Sequence, residues 1–347
     1  MKDSPRLYNK RILITGGAGF IGSNLVEYFL PDNDIVCLDN LSTGFFKNIK
    51  DYINHPRFKF IEGDICELET CRRATGECDY VFHHAALGSV PRSIKDPIAT
   101  NASNIGGFLN MLVAARDAGV KRFVYAASSS TYGDSKELPK VESRIGRPLS
   151  PYAVTKFVNE LYANVFTQLY ELETIGLRYF NVFGKNQSPA GAYAAVIPLW
   201  AKNLLKHEQP VINGDGSYSR DFTHIENVIQ ANVRAALTPW QSILECSVTY
   251  QKEMNMEMKP DHVFNIAYGG NTTLLELFGA LRDNLAKYDN KISQIEPFYG
   301  QIREGDIPHS QASIKKAATV LGYQPEIDAR KGFEMVAGWY FENALKL

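Results

Sequence analysis

Nothing narrows the choice of folds for this chain more than residues 11 to 22. A short apolar strand, Arg11 to Thr15, runs straight into Gly16-Gly17-Ala18-Gly19-Phe20-Ile21-Gly22, and a helix then continues to about Leu30 and stops at Pro31. A G-x-x-G-x-x-G run between strand and helix has a mechanical reason. The glycines permit a tight turn, let backbone approach a pyrophosphate closely, and allow the helix to pack on the strand, with the phosphates at the helix N-terminus. The next strand, Asp34 to Leu38, ends in Asp39, 17 residues after Gly22. That carboxylate can accept the hydroxyls of an adenosine ribose and would repel a 2′-phosphate. No arginine follows it directly, so NAD is favoured over NADP. Asp64, at the end of another strand, is placed to reach the adenine.

Further strand-like runs lie at Phe58 to Glu62, Tyr80 to Phe82, Phe123 to Ala126 and Thr174 to Leu177, with helical stretches between them. One helix opens at Asp96-Pro97, a cap followed by an N1 proline, and closes near Gly119. Strands alternating with helices predict an α/β fold, a Rossmann-type doubly wound parallel sheet with helices on both faces. After about Phe180 the pattern changes. Asn186 to Gly191 reads as loop, Ala194 to Leu205 as helix, and His207 to Arg220 as turns around a short strand. Residues 239 to 262 form a long polar, methionine-containing connection that reads as a surface excursion. Ala329 to Leu347 looks like an amphipathic closing helix. The division expected is a cofactor domain over 1–180, with parts of 221–240 and 263–268 returning to it, and a smaller C-terminal α/β substrate lobe over 181–347.

Chemistry enters at Ser150-Pro151-Tyr152-Ala153-Val154-Thr155-Lys156. Ser150 is a good N-cap and Pro151 suits the first helical position, so Tyr152 sits in a first helical turn with Lys156 four residues on and on the same face. A phenol titrates near pH 10 and is a poor base at neutral pH. A neighbouring ammonium and a helix N-terminus both favour the phenolate, which makes the pair a proton-transfer device if a cofactor and a third hydroxyl lie close by. With 18 tyrosines in the chain, such spacing arises by chance about once. Tyr132 and Lys136 share it, but the intervening Gly133-Asp134-Ser135 is turn-like and would not hold both side chains on one face.

Composition excludes several alternatives. The chain has 347 residues, 45% hydrophobic and 22% charged, with a formal net charge of −1. This is ordinary globular composition, with no electrostatic case for a nucleic-acid or anionic-membrane partner. The longest apolar runs are too short to span a bilayer, and Met1 to Lys10 carries no apolar signal segment. The default expectation is a cytosolic enzyme. Cys37, Cys66, Cys71, Cys78 and Cys246 are odd in number and none are spaced C-x-x-C, so they read as reduced thiols without a catalytic role. His83-His84 follow a buried-looking strand without ligand spacing and read as packing residues rather than a metal site.

With the glycine loop, the Ser128-Ser129-Ser130-Thr131-Tyr132-Gly133 run and the Tyr152/Lys156 helix in place, the chain resembles the extended short-chain dehydrogenase/reductases. Within them it is most similar to the UDP-hexose 4-epimerases. The match also takes in His84 to Val90, Arg178-Tyr179-Phe180-Asn181, Ser219-Arg220-Asp221-Phe222 and Arg303-Glu304-Gly305-Asp306. Through Ala86 to Ser93 and Gly191 to Pro198 it looks closest to bacterial epimerases of UDP-N-acetylglucosamine. The resemblance implies tightly held NAD, contacted by Gly16, Gly19, Phe20, Ile21, Gly22, Asp39, Asn40, Ser42, Gly44, Asp64, Ile65, Ala85, Ala86, Ser103, Tyr152, Lys156, Tyr179, Phe180 and Val182.

It also implies a mechanism. Tyr152 as phenolate takes the proton of the sugar 4-hydroxyl while the C4 hydride passes to NAD. Lys156 lowers the phenol pKa and holds the nicotinamide ribose, and Ser128 bridges sugar O4 and Tyr152. The 4-keto sugar turns over while tethered by its nucleotide, and hydride returns to the opposite face. Gly88, Ser89, Ser129 and Ser130 line the sugar pocket. The UDP moiety falls to Arg220, Arg303 and Asp306, with Asn181, Ala195, Val196, Trp200 and Asn213 nearby; arginine suits a diphosphate because its planar fork gives two hydrogen bonds. Where glucose-restricted epimerases carry a bulky tyrosine four residues after Asp306, this chain has Ser310, which leaves room for a 2-acetamido group.

Nucleotide-sugar 4,6-dehydratases and UDP-glucuronate decarboxylases add an acidic residue just before the Tyr-Gly of the serine run. Ser129-Ser130-Thr131 supplies none, which counts against both. A 4-epimerase of UDP-N-acetylglucosaminuronate stays open at this point. So does a non-catalytic NAD-sensing scaffold, against which the intact Ser/Tyr/Lys set argues. The resemblance further implies a homodimer through helices 97–118 and 151–172, and a role in surface polysaccharide synthesis.

Overall fold

The computed structural model describes residues 6–189, 195–254, 262–302 and 307–343. Seven parallel strands form one sheet in the order Val263–Ile266, Glu173–Tyr179, Arg122–Ser128, Tyr80–His83, Arg11–Thr15, Asp34–Asp39, Phe58–Glu62. Side chains alternate across each strand, and here both faces are covered. Ile12 and Ile14 join Leu25, Val26 and Phe29 of the helix Phe20–Phe29 and Val228 of the helix Ile225–Leu237 on one face. Leu13 between them joins Met111 and Leu112 of the helix Phe108–Asp117 and Phe166 of the helix Pro151–Tyr170 on the other.

The chain winds outward from Arg11–Thr15 in one direction, then returns to Tyr80–His83 and winds outward in the other. At that reversal the connections diverge and leave a crevice beyond the carboxyl ends of two adjacent strands. Gly16 and His84 are the residues that emerge there. A second core, built from Trp200, Leu204, Leu277, Phe278, Phe333 and Tyr340, joins the helices Val196–Leu205, Leu274–Leu285 and Ala329–Asn343. Short paired strands at Val211–Asn213, Ser219–Arg220, Thr272–Thr273, Phe298–Gly300 and His309–Ser310 edge this lobe.

Three expectations need correction. Residues 240 to 253 are not a surface excursion but the helix Trp240–Glu253, whose Ile243 and Tyr250 are fully buried. Ile243, Ser247 and Tyr250, at i, i+4 and i+7, form a narrow inward stripe that the polar composition hides; residues 255–261 lie outside the described residues. The single helix from Asp96 to Gly119 is instead the short helix Pro97–Asn101, a π-helical turn Ala102–Gly107, and the helix Phe108–Asp117. A Cβ at Gly107 would lie 2.6 Å from the Ile65 side chain, so the turn brings backbone close against the sheet edge. The helix expected from Ala194 begins at Val196, and Ala194 itself is outside the described residues.

Candidate active site

The glycine loop is closed by contacts that only glycine permits. Gly16 has φ +67°, and a Cβ there would lie 2.7 Å from the Ala85 nitrogen; at Gly22 a Cβ would lie 2.1 Å from the Gly16 carbonyl oxygen. The helix Phe20–Phe29 starts at Gly19 with no side-chain cap. Its first-turn N–H groups therefore have no side-chain acceptor and no acidic side chain beside them, and they face the crevice as an anion-binding end. Gly16, Gly19, Phe20, Ile21 and Gly22 line the cleft beside Gly88, Tyr152, Lys156, Tyr179, Asn181 and Val182.

At the far end the cleft is lined by Asp39, Asn40, Ser42, Ile65, Ala85, Ala86 and Ser103, the last on the π turn. Asp39 Oδ2 accepts the Ala18 N–H at 2.9 Å and Oδ1 accepts the Leu41 N–H at 2.8 Å. Burial pushes its carboxyl up, and those two bonds offset part of that. Asn40 Oδ1 accepts the Ser42 hydroxyl at 2.7 Å. Asp64 does not line the cleft among its described walls. Its carboxylate accepts Asn40 Nδ2 at 2.9 Å and the Cys66 N–H at 2.8 Å, so it holds Asn40 in place. Burial pushes the Asp64 carboxyl up, but these bonds outweigh it and leave it below the usual range. Gly44 lies against Asp39 and Ala18 and sets the loop over them. Phe180 departs from expectation. Its ring is fully buried with Tyr132, Ala267 and Ala312, because neighbours on a strand face opposite ways and Tyr179 takes the cleft.

The catalytic candidates converge where the two halves meet. Ser150 caps the helix Pro151–Tyr170 through the Ala153 N–H, and Pro151 opens it. Ser128 ends its strand and accepts the Ser130 N–H at 3.1 Å and the Ser130 hydroxyl at 2.9 Å. With both lone pairs occupied, its own O–H is left to donate, and its influence on the Tyr152 phenol is to pull it down. Lys156 is 4% exposed, gives one N–H to the Ala126 carbonyl at 2.7 Å, and sits 5.9 Å from the Tyr152 ring centroid.

The electrostatics show why this pair needs the cofactor and third hydroxyl on which its expected role depends. Desolvation pushes the Tyr152 phenol above its ordinary value, and Ser128 pulls only part of that back. Burial also brings Lys156 down to about 8, opposed by the Glu160 carboxylate one turn further along the helix. Two buried groups each resist charge, so the protein alone supplies geometry rather than a preformed ion pair. Tyr132 is set apart as expected: it lies in a 3-10 turn, buried, its hydroxyl donating to Asn265 Oδ1 at 2.6 Å.

A groove continues from Asn181 along Val196, Leu199, Trp200, Asn203, Val211, Asn213, Arg220, Phe222 and Leu274. Ser310 stands in register opposite Arg220, on the strand His309–Ser310 beside Ser219–Arg220. Ser89 and Asn181, non-glycine residues with φ of 90° and 36°, carry the backbone strain common at working sites. Ser89 caps the short helix Val90–Lys95 next to Gly88. Ser129 and Ser130 begin the 3-10 turn after Ser128, and Ala195 caps the helix Val196–Leu205 at the surface. Arg303 and Asp306 lie outside the described residues.

Sequence reasoning missed three contributors. His84 lines both parts of the cleft and pairs Nε2 with the Tyr179 hydroxyl at 2.9 Å, which Asn232 also contacts. Leu199 and Asn203 follow Val196 and Trp200 on the groove-lining side of one helix, a three-four spacing that was open to reading. His83, by contrast, packs in the core, its Nδ1 2.9 Å from the Thr15 hydroxyl.

Comparison with known proteins agrees with this geometry. The model of the NAD dependent epimerase/dehydratase family matches residues 12–242. A putative UDP-glucose 4-epimerase of Methanocaldococcus jannaschii is 33% identical over 335 residues, covering 96% of this chain and 99% of that one. The UDP-N-acetylglucosamine 4-epimerase of Methanobrevibacter ruminantium, solved with UDP-N-acetylmuramic acid, superposes with a TM-score of 0.85 at 34% identity over 97% of this chain and 99% of that one. The UDP-glucose 4-epimerase of Thermus thermophilus, solved with NAD, gives 0.78 at 29% identity over 96% and 99%. The uncapped glycine turn, the Asp39 carboxylate and the Ser/Tyr/Lys cluster fit the dinucleotide these enzymes use, and the chain belongs to the NAD-dependent epimerase/dehydratase family, on its UDP-sugar 4-epimerase branch.

Proposed function

We propose that this enzyme interconverts UDP-N-acetylglucosamine and UDP-N-acetylgalactosamine. The observation that carries the reading is Ser310, a small residue in register beside Arg220 at the groove that would receive the diphosphate. A serine there leaves volume for a 2-acetamido group, and Gly88, without a Cβ, leaves more on the cleft side. Likeness to the Methanobrevibacter enzyme supports the same choice. The groove should still accept the smaller glucose sugar, because an unfilled pocket discriminates by only about 1–3 kcal/mol.

In this reading Gly16 to Gly22, Asp39 and Lys156 hold NAD, which when bound supplies a reversible hydride acceptor and a positively charged ring. Tyr152 takes the 4-hydroxyl proton, with Ser128 bridging the phenol and sugar O4. The Tyr152 phenol returns that proton after the tethered sugar has turned. Arg220, Arg303 and Asp306 hold the UDP part throughout.

The enzyme works as a homodimer in the cytosol and supplies surface polysaccharide synthesis. What supports the dimer is an exposed apolar stripe on the helix Pro151–Tyr170, namely Val154, Leu161, Val165 and Leu169, with Ile94 and Ile98 beside it; Ile98 is 81% exposed. Free cysteines fit a reducing compartment. Incubation of purified protein with UDP-GlcNAc, UDP-Glc and UDP-GlcNAcA separately, with products identified by NMR, tests the substrate. UDP-GalNAc should form from the first. Turnover of the uronate alone would overturn the assignment.

A further inference from the structure

Asp221 is fully buried and lines neither cleft nor groove, although its neighbour Arg220 lines the groove. Its carboxylate accepts backbone N–H groups from two segments distant in sequence. Oδ1 faces the Tyr268 and Gly269 nitrogens at 3.2 Å each, and Oδ2 faces Gly269 at 3.1 Å and Ala312 at 3.2 Å. Tyr268 and Gly269 follow the outermost sheet strand, Val263–Ile266. Ala312 lies two residues past Ser310.

The Asp221 main chain is tied as well. Its carbonyl accepts Asn181 Nδ2 at 3.1 Å, and Asn181 lines both the cleft and the groove. A second tie runs beside the first, from Gln311 Nε2 to the Gly269 carbonyl at 3.1 Å.

A buried carboxylate is an expensive way to join two loops, because its charge must leave water. Its chemical advantage is that both oxygens accept and neither donates, so it can gather N–H groups from several directions. An amide of the same shape would turn an NH2 toward at least one of those donors.

We propose that Asp221 is a positioning residue for substrate recognition, holding the Ser310 strand and Asn181 to the edge of the cofactor sheet and so fixing the wall of the sugar pocket relative to Ser128 and Tyr152. This rests on the reading of the groove as the UDP-sugar site. The alternative is a tie that serves stability alone. The two differ in what they do to KM.

The test compares wild type, Asp221→Asn and Gln311→Ala as purified with bound NAD, each assayed on the UDP-sugar that wild type turns over fastest. Asp221→Asn should raise KM by ~10-fold, the effect of about 1.4 kcal/mol, with kcat within ~3-fold and NAD content unchanged. Gln311→Ala should move KM the same way by ~2-fold or more, as the weaker of two parallel ties. An unchanged KM in folded Asp221→Asn overturns the proposal, as does a fall in kcat with KM constant. If Asp221→Asn fails to fold, Gln311→Ala decides: a raised KM upholds the positioning role and an unchanged one overturns it. Failure of the substrate reading is visible separately, in which sugar the wild type prefers.

Discussion

Replacing Lys156 by methionine should make the NAD-free protein more stable at pH 7 while abolishing turnover. Lys156 is buried, and its ammonium titrates at about 8 rather than 10.5 because burial opposes the charge more than Glu160 supports it. Between about pH 8 and 10.5 the unfolded chain holds a proton there that the folded chain has released. The unfolded state thus binds more protons, and stability from this site rises with pH across that window. Below 8 both states are charged and the folded one bears the whole cost, about 3 kcal/mol at 1.36 kcal/mol per pH unit. Methionine has nearly the same length and no charge, so it removes that cost. It also strips the Ala126 carbonyl of its 2.7 Å donor, a loss of about 1 kcal/mol.

The net gain is about 2 kcal/mol. For 347 residues, an unfolding entropy of about 0.7 kcal/mol/K converts this to about 3 °C in Tm. Differential scanning of the NAD-stripped wild type and Lys156→Met at pH 7 and pH 10 reads the effect. The mutant should melt higher at pH 7, and the gap should close by pH 10. A mutant that melts lower at pH 7, or a gap indifferent to pH, would refute the reasoning. A gain coupled to loss of activity is the signature of a group kept at the expense of stability.

Tyr152→Phe should retain NAD and fold yet lose epimerisation by about 10²–10⁴-fold, with product formation followed by NMR. Tyr132→Phe is its control: turnover should persist, although Asn265 loses a buried donor at about 1–3 kcal/mol, seen as a lower Tm. Gly22→Ala should eject the dinucleotide, because the new methyl lies 2.1 Å from the Gly16 carbonyl; mass spectrometry of the heat-released supernatant should find no NAD. Ser310→Tyr should lower kcat/KM for UDP-GlcNAc ~10-fold or more relative to UDP-Glc, and an unmoved ratio would return Ser310 to a surface role. Leu161→Glu in the apolar stripe should shift light scattering from a dimer toward the 38.9 kDa monomer.

What the sequence could tell follows from how local each cause is. The glycine loop and the Ser150-capped helix were legible because steric closure and capping act over three or four residues. Phe180 was misjudged and Tyr179 was not, yet alternation along the extended chain was enough to separate them: Tyr179 reaches the cleft and Phe180 the core. The helix Trp240–Glu253 escaped because its inward face, Ile243, Ser247, Tyr250 and Gln251, is narrow and half polar. The charge states of Tyr152 and Lys156 were beyond reach for a different reason. Spacing reveals that the two share a face, but not that the sheet and neighbouring helices strip both of water.

Asp221 marks the limit of such reading. In sequence it is one member of Ser219-Arg220-Asp221-Phe222, and beside an arginine in the groove it invites assignment to the ligand. Its partners, at 268, 269 and 312, are 47 to 91 positions away and are all backbone N–H groups, which no pattern of side chains can announce. Arg220 and Asp221 therefore divide the work of one short motif. Neighbours on an extended segment point to opposite sides, so the arginine serves the groove while the aspartate serves the framework behind it. Exchanging the two residues would bury a guanidinium among N–H donors and leave a carboxylate facing the groove.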